Sequence, residues 1–369
     1  MNYKELNKLT YSKTASLMKT FLKVFFLMFI SSGTLFAQPN EKSFIAADSK
    51  NIAYIGRFDF TDNKNPVFMY SGCAIRTVFS GTSVDVVLKD DDLKNWFTVI
   101  LDDSLFIFKS DRKDNLYSIA KNLKDGRHSL EIIRRTEWHG GNTTFLGFYI
   151  DNGEKTEKPE VKDRKIEFIG DSYTCGYGNE GKSREEHFTY EIENNYLTFG
   201  AITSLALDAE YTTVCRSGIR MSRSNKEEPG FDMLNLYDSL AVGSSAVWDY
   251  SKSQPQVVVI VLDSNDDFSK VDSTYFAASY LEFLTKIRKN YPDTKIICIA
   301  GPSLDDAQWI TNQSYISNIV NQFSKTDNSA FYFALSPIQM NGADWHPNVV
   351  EHKKMAAELI PEIRKLMNW

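Results

Sequence analysis

The sequence predicts two domains of different fold classes: an all-β jelly-roll sandwich, then an α/β domain with a parallel five-stranded sheet and helices on both of its faces. Three observations support this. The chain has 369 residues, too many for one typical core. Short strand patterns fill the first half, and the second half alternates apolar runs with helical patterns. A charged segment, residues 152–165, separates the two patterns like a linker. We therefore predict a β-sandwich over residues 41–155 and the α/β domain over residues 156–369.

The first 37 residues are typical of an export signal peptide rather than of a folded domain. Lys19 and Lys23 flank the start of FLKVFFLMFISSGTLFA, an apolar segment that is short for a membrane span and ends at Ala37. Met18 directly precedes this pattern and is an alternative start. We expect an exported protein, periplasmic or extracellular, with no membrane partner after cleavage of the signal peptide.

Composition and charge argue against several function classes. The formal net charge is −6, and no basic run suits a nucleic-acid backbone. The four cysteines are far apart, without the spacing of a zinc site, and Cys215 and Cys298 lie in apolar runs that predict burial. We therefore expect no nucleic-acid partner, no metal and no cofactor. The sequence gives no indication of oligomeric state.

Segments rich in β-branched and aromatic residues predict the strands of the sandwich. They are TSVDVVL (82–88), WFTVILDDSLFIF (96–108), HSLEII (128–133) and TFLGFYIDNG (144–153). Asp-Asp-Ser, Asp-Gly and Asp-Asn-Gly turn signals accompany them. Many short strands at this spacing are typical of a sandwich such as a jelly roll.

Apolar runs predict the parallel strands of the second domain, at 166–169, 211–215, 257–262, 295–300 and 330–334. Helical patterns lie between or after them, at 196–208, 275–290, 306–324 and 348–367. Strands that alternate with helices in this way form a parallel sheet covered on both faces. Since ligands bind such sheets at the carboxyl ends of the strands, we expect a site in the loops that follow the strands.

Ser172 directly follows the first of these strands, in IEFIGDSYTCGYG, which places its hydroxyl at that edge of the sheet. A serine needs a base to act as a nucleophile, and the chain has five histidines. His128 and His139 belong to the first domain. His187 lies in a polar surface segment, and His352 is expected on the solvent side of the last helix.

Elimination therefore favours His346, in the loop GADWHPN between the last strand and the last helix, as the base for Ser172. Asp344 is near enough in sequence to orient His346 through its carboxylate, and a backbone carbonyl is the alternative. The other interpretation is that Asp344 caps the following helix or shapes the turn. Trp345 lies between them, and its indole is predicted to stack on a substrate sugar; a buried ring that anchors the loop is the other interpretation.

Hydrolysis of an ester also needs donors for the oxyanion that develops. Asn265 follows the third strand in VLDSND, and its side-chain amide is one predicted donor. Gly218 follows the second strand in CRSGIR, where the absence of a side chain lets the backbone N–H approach a substrate. The N–H of Ser172 is the third predicted donor.

Ser172 in GDS, Gly218, Asn265 in SND and His346 resemble, in this order, the four marks of the SGNH (GDSL-type) hydrolases, and the chain has no G-x-S-x-G elbow. IGRFDF, NNYLTFGAITSLALDAEY, SGIR and DWHPN extend the resemblance over roughly residues 50 to 369, and the two-domain arrangement resembles the family-2 carbohydrate esterases (acetyl xylan esterase-like). The resemblance implies an exported serine esterase that removes O-acetyl groups from polysaccharides or oligosaccharides such as xylan and glucomannan, often at the 6-hydroxyl.

Three features depart from that family. Asp263 and Ser264 replace the usual glycine-threonine, Arg220 replaces a small residue, and Asp344 precedes His346 by two positions rather than three. Three other functions stay open. One is a lipase-like or thioester hydrolase, which would need a broad apolar acyl pocket. The others are a non-catalytic carbohydrate-binding protein and a structural β-sandwich protein.

Overall fold

A computed structural model describes residues 42–151, 155–222, 232–266, 273–302 and 306–369. The predicted signal peptide, residues 1–37 with the alternative start Met18, lies outside the described residues. Among the described residues, no helix has both the length and the apolar character needed to cross a bilayer.

The first half of the described chain folds into antiparallel strands. They are β1 (Lys42–Ala46), β2 (Ile52–Ile55), β3 (Val67–Phe68), β4 (Ala74–Ser80), β5 (Val84–Asp90), β6 (Trp96–Leu101), β7 (Ser104–Lys109), β8 (Leu116–Ala120), β9 (Arg127–Arg134), β10 (Thr143–Asp151) and β11 (Thr156–Glu157). One sheet has the order β1-β10-β5-β8, with β3 also on β10. The other has the order β11-β4-β9-β6-β7, with β2 also on β4. The predicted β-sandwich is confirmed.

Alternation of inward apolar residues explains why these segments form a sandwich. In β5, Val84, Val86 and Leu88 are fully buried, and Val99 and Ile132 of the other sheet belong to the same core. The pairing of β11 with β4 places residues 156 and 157, which the sequence assigned to the second domain, on the sandwich.

The second half of the described chain combines parallel strands with helices. The strands are β12 (Arg164–Gly170), β13 (Ala209–Cys215), β14 (Val257–Val261), β15 (Lys295–Ala300) and β16 (Ala330–Ala334). The helices are α1 (Ser172–Cys175), α2 (Phe199–Ala206), α3 (Met233–Leu236), α4 (Ser273–Asn290), α5 (Asp306–Phe323) and α6 (Val349–Met367). The sheet order β13-β12-β14-β15-β16 confirms the predicted parallel five-stranded sheet, and the chain changes direction across it between β12 and β14.

Burial on both faces explains the continuous apolar runs of this sheet. All five residues of β14 are buried. Val258 and Ile260 pack in one core with α4 and α5, whereas Val257 and Val259 pack in another core with α2 and α6. The predicted helical patterns at 275–290, 306–324 and 348–367 correspond closely to α4, α5 and α6. The pattern at 196–208 contains α2, which begins after Thr198 caps it.

The sandwich packs on β12, β13 and the segment around α3, so that its core is continuous with the core beneath α4 and α5. Arg57 of the sandwich and Glu167 of β12 form a buried ion pair of 2.7 Å. Arg76 of β4 pairs with Glu210 of β13 at 2.5 Å. Residues 42–369 accordingly form one compact unit.

The cysteines and His352 were each expected in a particular environment. All four cysteines are buried and free, as predicted for Cys215 and Cys298. The expectation that His352 lies on the solvent side of the last helix is wrong. Its ring is 1% exposed, because its Nδ1 accepts the backbone N–H of Phe199 at the start of α2.

Candidate active site

Ser172 begins the short helix α1 directly after β12 and is 5% exposed. The preceding Asp171 caps this helix, because its Oδ1 accepts the N–H of Tyr173 at 3.1 Å. The helix ends after one turn at Gly176, whose φ of +90° is in the left-handed region that glycine tolerates. We call residues 171–181 the serine loop.

His346 lies in the loop between β16 and α6, and we call residues 341–348 the histidine loop. The start of α6 holds this loop in place, since the carboxylate of Glu351 accepts the N–H groups of Asn341 and Asn348, each at 2.9 Å. The N–H of Ala343 donates to the carbonyl of Gly178 at 3.0 Å and so ties the histidine loop to the serine loop.

These contacts bring the imidazole of His346 next to the serine loop. Its ring centroid is 5.8 Å from that of Tyr173, the neighbour of Ser172, and 4.4 Å from that of Tyr177. Burial lowers the pKa of His346 below its ordinary value. A neutral imidazole is the form that can accept a proton.

The Nδ1 atom of His346 lies 2.9 Å from the backbone carbonyl of Asp344 and 3.2 Å from that of Ala343. The carboxylate of Asp344 is directed elsewhere, so the structure does not show the predicted contact between this carboxylate and the histidine. The cause is the backbone: Asp344 and Trp345 both have left-handed φ values, +48° and +62°. This conformation places the carbonyl of Asp344, the alternative left open by the sequence, at Nδ1.

The Asp344 carboxylate instead holds residues 182–190, which we call the aromatic segment. It accepts the N–H of Phe188 at 2.9 Å and the hydroxyl of Tyr177 at 3.2 Å, and it pairs with Nδ1 of His187 at 3.0 Å. Burial raises the pKa of Asp344, but these bonds outweigh burial and leave the pKa below its usual range. The rings of Tyr177 and Phe188 stack with centroids 4.1 Å apart.

Trp345 extends outward beside His346. Its side chain is 51% exposed, and the guanidinium of Arg184, from the aromatic segment, lies 4.6 Å from its ring centroid. Two consecutive non-glycine residues with left-handed backbone cost on the order of 1–3 kcal/mol each, and such strain is concentrated at functional sites. Here the strain presents the indole to solvent while directing a carbonyl at the histidine.

The predicted oxyanion donors come from the loops after β13 and β14. Gly218 is exposed, has φ +76°, and has open space where a side chain would be. The side-chain amide of Asn265 donates to the carbonyl of Ile219 at 3.0 Å and to Oδ2 of Asp171 at 3.3 Å. The same Oδ2 accepts the hydroxyl of Ser264 at 2.5 Å, so Asp171 connects the serine loop with the loop after β14.

The family departures at 263 and 220 have distinct environments. Asp263 is 2% exposed and accepts the N–H of Gly301 at 3.1 Å. Burial, and next the charge of Asp171, raise the pKa of Asp263 to about 7, and burial raises the pKa of Asp171 to about 6. Arg220 is half-buried and pairs through its backbone with Asp232.

The sequence did not point to several residues around the site. Phe188 and Tyr177 lie in segments whose polar or glycine-rich composition indicated only loops. Glu137, in the turn after β9 of the sandwich, is fully buried and accepts the N–H of Ser217 at 2.6 Å. No pattern in the sequence shows that this part of the first half reaches a loop of the second. Among the described residues, His, Cys, Asp and Glu side chains do not form a group of three suited to a metal ion.

Comparisons with known proteins agree with this two-part architecture. Residues 54–159 match the family model "Carbohydrate esterase 2 N-terminal", and residues 166–359 match "GDSL-like Lipase/Acylhydrolase". The chain is 37% identical to the cellulase/esterase CelE of Acetivibrio thermocellus over 328 residues, which are 87% of this chain. It spans only 40% of the length of CelE.

Two further proteins match this chain over nearly their whole length. An acetylxylan esterase / glucomannan deacetylase of Cellvibrio japonicus is 28% identical over 334 residues, 88% of this chain and 91% of that protein. The solved structure of a family two carbohydrate esterase from Clostridium thermocellum, in complex with cellohexaose, is 36% identical with a TM-score of 0.80. It matches 86% of this chain and 99% of that one.

Proposed function

Because the chain belongs to carbohydrate esterase family 2, with the N-terminal region of that family before a GDSL-type hydrolase domain, we propose that it removes O-acetyl groups from plant-type polysaccharides or oligosaccharides such as xylan and glucomannan. The relative described above as acetylxylan esterase / glucomannan deacetylase supports this substrate class. The 6-hydroxyl of a hexose is the acetylated position that we propose to test first.

The observation that carries the proposal is the convergence of four loops at the carboxyl edge of the sheet. The serine and histidine loops are hydrogen-bonded to each other, and Asp171 joins the serine loop to Asn265. Asn265 in turn donates to Ile219, next to Gly218. This edge includes the point between β12 and β14 at which ligands bind in sheets of this topology.

In the proposed reaction the hydroxyl of Ser172 attacks the acetyl carbonyl while His346 takes its proton. The carbonyl oxygen becomes an oxyanion that accepts the N–H groups of Ser172 and Gly218 and the amide of Asn265. Both amide hydrogens of Asn265 have partners in the structure. The longer bond, to Asp171, is therefore the one that we expect the oxyanion to replace.

Collapse of this intermediate breaks the ester bond, and His346 returns the proton to the departing sugar hydroxyl. Water then attacks the acetyl-serine with His346 again as base, which releases acetate and restores Ser172. The backbone carbonyls at Nδ1 stabilise the imidazolium that forms in both steps.

The test is acetate release from acetylated xylan and glucomannan by the purified protein, with nitrophenyl esters of short and long acyl chains as a comparison. We expect activity on the acetylated polysaccharides and a preference for acetyl over long acyl groups. Ser172→Ala should abolish hydrolysis with an unchanged melting temperature. Retention of a tenth of the activity would remove Ser172 from the mechanism, and a preference for long acyl esters would favour a lipase-like function.

We further propose that Trp345 holds the substrate sugar, because its half-exposed ring borders His346. Trp345→Ala should lower turnover of acetylated oligosaccharides but spare nitrophenyl acetate, and as a surface change it should cost no more than about 0.5 kcal/mol of stability. Trp345→Phe, which keeps a smaller platform, is the matched control and should retain more oligosaccharide activity. Parallel loss of both activities with a sharply lowered melting temperature would instead indicate a ring that anchors the loop.

Export remains part of the proposal as well. The basic and apolar pattern before Ala37 supports a cleaved signal peptide. Intact-mass measurement of the protein recovered from the periplasm or medium of an expressing bacterium should show a chain that begins at or near residue 38. Recovery of the full-length chain from the cytoplasm alone would contradict export.

A further inference from the structure

A buried carboxylate of the sandwich contacts both the oxyanion loop and the helix of the nucleophile. Glu137 is 0% exposed, and its Oε2 accepts the N–H of Ser217 at 2.6 Å. The thiol of Cys175, in the same helix as Ser172, donates to this oxygen at 3.5 Å. One atom from the first half of the chain therefore joins two elements that carry site residues of the second half.

The residue after Glu137 holds the same loop from its other side. The guanidinium carbon of Arg216 lies over the ring of Trp138, 3.4 Å from the ring centroid. Consecutive residues of the sandwich thus contact consecutive residues that precede Gly218. Because Gly218 itself has no side chain and open space around it, these contacts fix the peptide that leads into it.

A second buried carboxyl group lies beside Glu137. Glu193 is also 0% exposed, and its Oε2 accepts the N–H of Glu137 at 3.3 Å. Burial, and next the charge of Glu137, raise the pKa of Glu193 well above its usual range. Glu193 thus holds the backbone of Glu137, whose side chain accepts the N–H of Ser217.

We propose that Glu137 is a positioning residue of the hydrolytic site, which fixes the peptide N–H of Ser217 and thereby directs the N–H of Gly218 at the oxyanion. The inference rests on the proposed esterase function. Donors for an oxyanion act only when they point at the place where charge develops, and a displacement of about 1 Å can cost roughly 10²-fold in rate. Loss of the contact therefore lowers kcat and leaves KM nearly unchanged.

The experiment compares three substitutions of Glu137 in the full chain, with nitrophenyl acetate as substrate. Glu137→Gln keeps an oxygen that can accept the Ser217 N–H, so we expect its kcat to stay within about fivefold of wild type. Glu137→Asp is one methylene shorter and Glu137→Ala has no acceptor. Both should lose at least about tenfold in kcat with KM within about twofold.

Glu210→Gln is the matched control. Glu210 also joins the sandwich to β13, through its contact with Arg76. It lies near the amino end of β13, whereas Ser217 follows the carboxyl end of that strand. It should lower the melting temperature and leave kcat unchanged. In every variant, kcat is expressed per active site titrated with a serine-reactive fluorophosphonate, so that unfolded protein is not counted.

The outcomes separate the two proposals. Equal kcat per titrated site in Glu137→Asp and wild type would overturn the positioning role, as would an equal loss in Glu210→Gln. If Glu137→Ala does not fold, the comparison of the Asp and Gln variants decides alone. If the wild-type chain hydrolyses nitrophenyl acetate but no acetylated saccharide, only the proposed substrate fails; if it hydrolyses neither ester, both proposals fail.

Discussion

At the scale of the single residue, the backbone and the side chain of Asp344 contact different parts of the site. Its backbone carbonyl faces His346, and its carboxylate fastens the aromatic segment through Phe188 and Tyr177. Substitution of the side chain therefore removes the second contact but keeps the first. The substrate-binding surface should be affected more than proton transfer.

We predict unequal effects of the two loop residues. His346→Ala should lower kcat by a factor of about 10² to 10⁴, the usual cost of losing a general base. Asp344→Ala should lower kcat by less than about tenfold and raise KM for acetylated oligosaccharides, because the stack of Tyr177 and Phe188 loses its anchor. Steady-state kinetics of both variants are the measurement. Equal, near-total losses of kcat would show that the carboxylate takes part in catalysis.

Asp263 gives a prediction for stability against pH. Its folded-state pKa of about 7 lies above the ordinary value of 3.8, so the folded protein binds a proton that the unfolded chain releases. This group therefore opposes folding increasingly as the pH rises from about 4 through 7. Asp263→Asn removes that opposition and keeps an oxygen for the N–H of Gly301.

The melting temperature of Asp263→Asn should exceed that of wild type at pH 8, by roughly 1–2 °C for each kcal/mol that is recovered. The difference should shrink toward pH 5 and vanish near pH 4. Thermal melts of both proteins across this range are the measurement. A difference that is constant with pH, or that grows toward acid, would contradict the burial of a titrating carboxyl at this position.

These residues also show how far the sequence could predict the site. Ser172, Gly218, Asn265 and His346 could be selected because each follows a strand, and strand ends are readable from apolar runs. The direction of the Asp344 carboxylate could not be predicted, since it depends on two consecutive left-handed residues. Aspartate adopts this conformation more often than most residues, but tryptophan does not, so the sequence gives no clear signal for the pair.

At the scale of elements, the serine and histidine loops are held in contact at Gly178. This residue has φ +60°, and a Cβ built there would lie 2.8 Å from the Cβ of Ala343 and 3.1 Å from its carbonyl oxygen. The bond between the N–H of Ala343 and the carbonyl of Gly178 depends on this close approach. The separation of Ser172 and His346 thus depends on a position without a side chain.

Gly178→Ala should therefore move the histidine loop, with a cost of about 1–3 kcal/mol in stability and a clear loss of kcat. Gly243→Ala is the matched control, because Gly243 has φ +76° but nothing within 4 Å of the added carbon. Gly243→Ala should lose only the stability that backbone strain costs, about 1–2 kcal/mol, and its kcat should be unchanged. Melting curves and kinetics on both variants would test this. Equal kcat in the two would show that the loops tolerate separation.

The accuracy of the predicted elements also has a physical cause. The parallel strands were predictable because burial on both faces leaves continuous apolar runs such as Val257–Val261. β4 (Ala74–Ser80) escaped prediction, because Arg76 breaks its pattern. Arg76 is partly buried between Glu131, which lies across from it on β9, and Glu210 of β13, which only the packing of the sandwich on the parallel sheet provides.

At the scale of the whole molecule, the buried pair of Arg57 and Glu167 joins the two halves. The guanidinium also lies 4.6 Å from the ring centroid of Tyr237 and 5.2 Å from that of Trp248. A buried ion pair adds little stability compared with an apolar pair of similar size. Removing one partner is costly, because the other charge then stays buried without a counter-charge. The two residues are far apart in sequence, so their pairing could not be predicted from it.

Arg57→Met should cost about 3–5 kcal/mol, because it leaves the Glu167 carboxylate buried without a cation. The double variant Arg57→Met/Glu167→Leu should recover most of this loss, since both charges are then absent. Denaturant unfolding of the wild type, of Arg57→Met, of Glu167→Leu and of the double variant gives the coupling energy. A single-variant cost below about 1 kcal/mol would mean that water reaches Glu167.

The four buried thiols can be used to follow which part of the molecule unfolds first. Only the thiolate reacts with alkylating reagents, and burial raises the pKa of Cys73 and of Cys298 to about 12. The native protein should therefore resist a short pulse of iodoacetamide, and each cysteine should become labelled only when its surroundings open. Cys73 contacts Arg57 at the junction of the two halves, whereas Cys298 lies within β15. Mass spectrometry of pulse-labelled protein would thus distinguish a sandwich that detaches first, with Cys73 modified alone, from a molecule that opens everywhere at once.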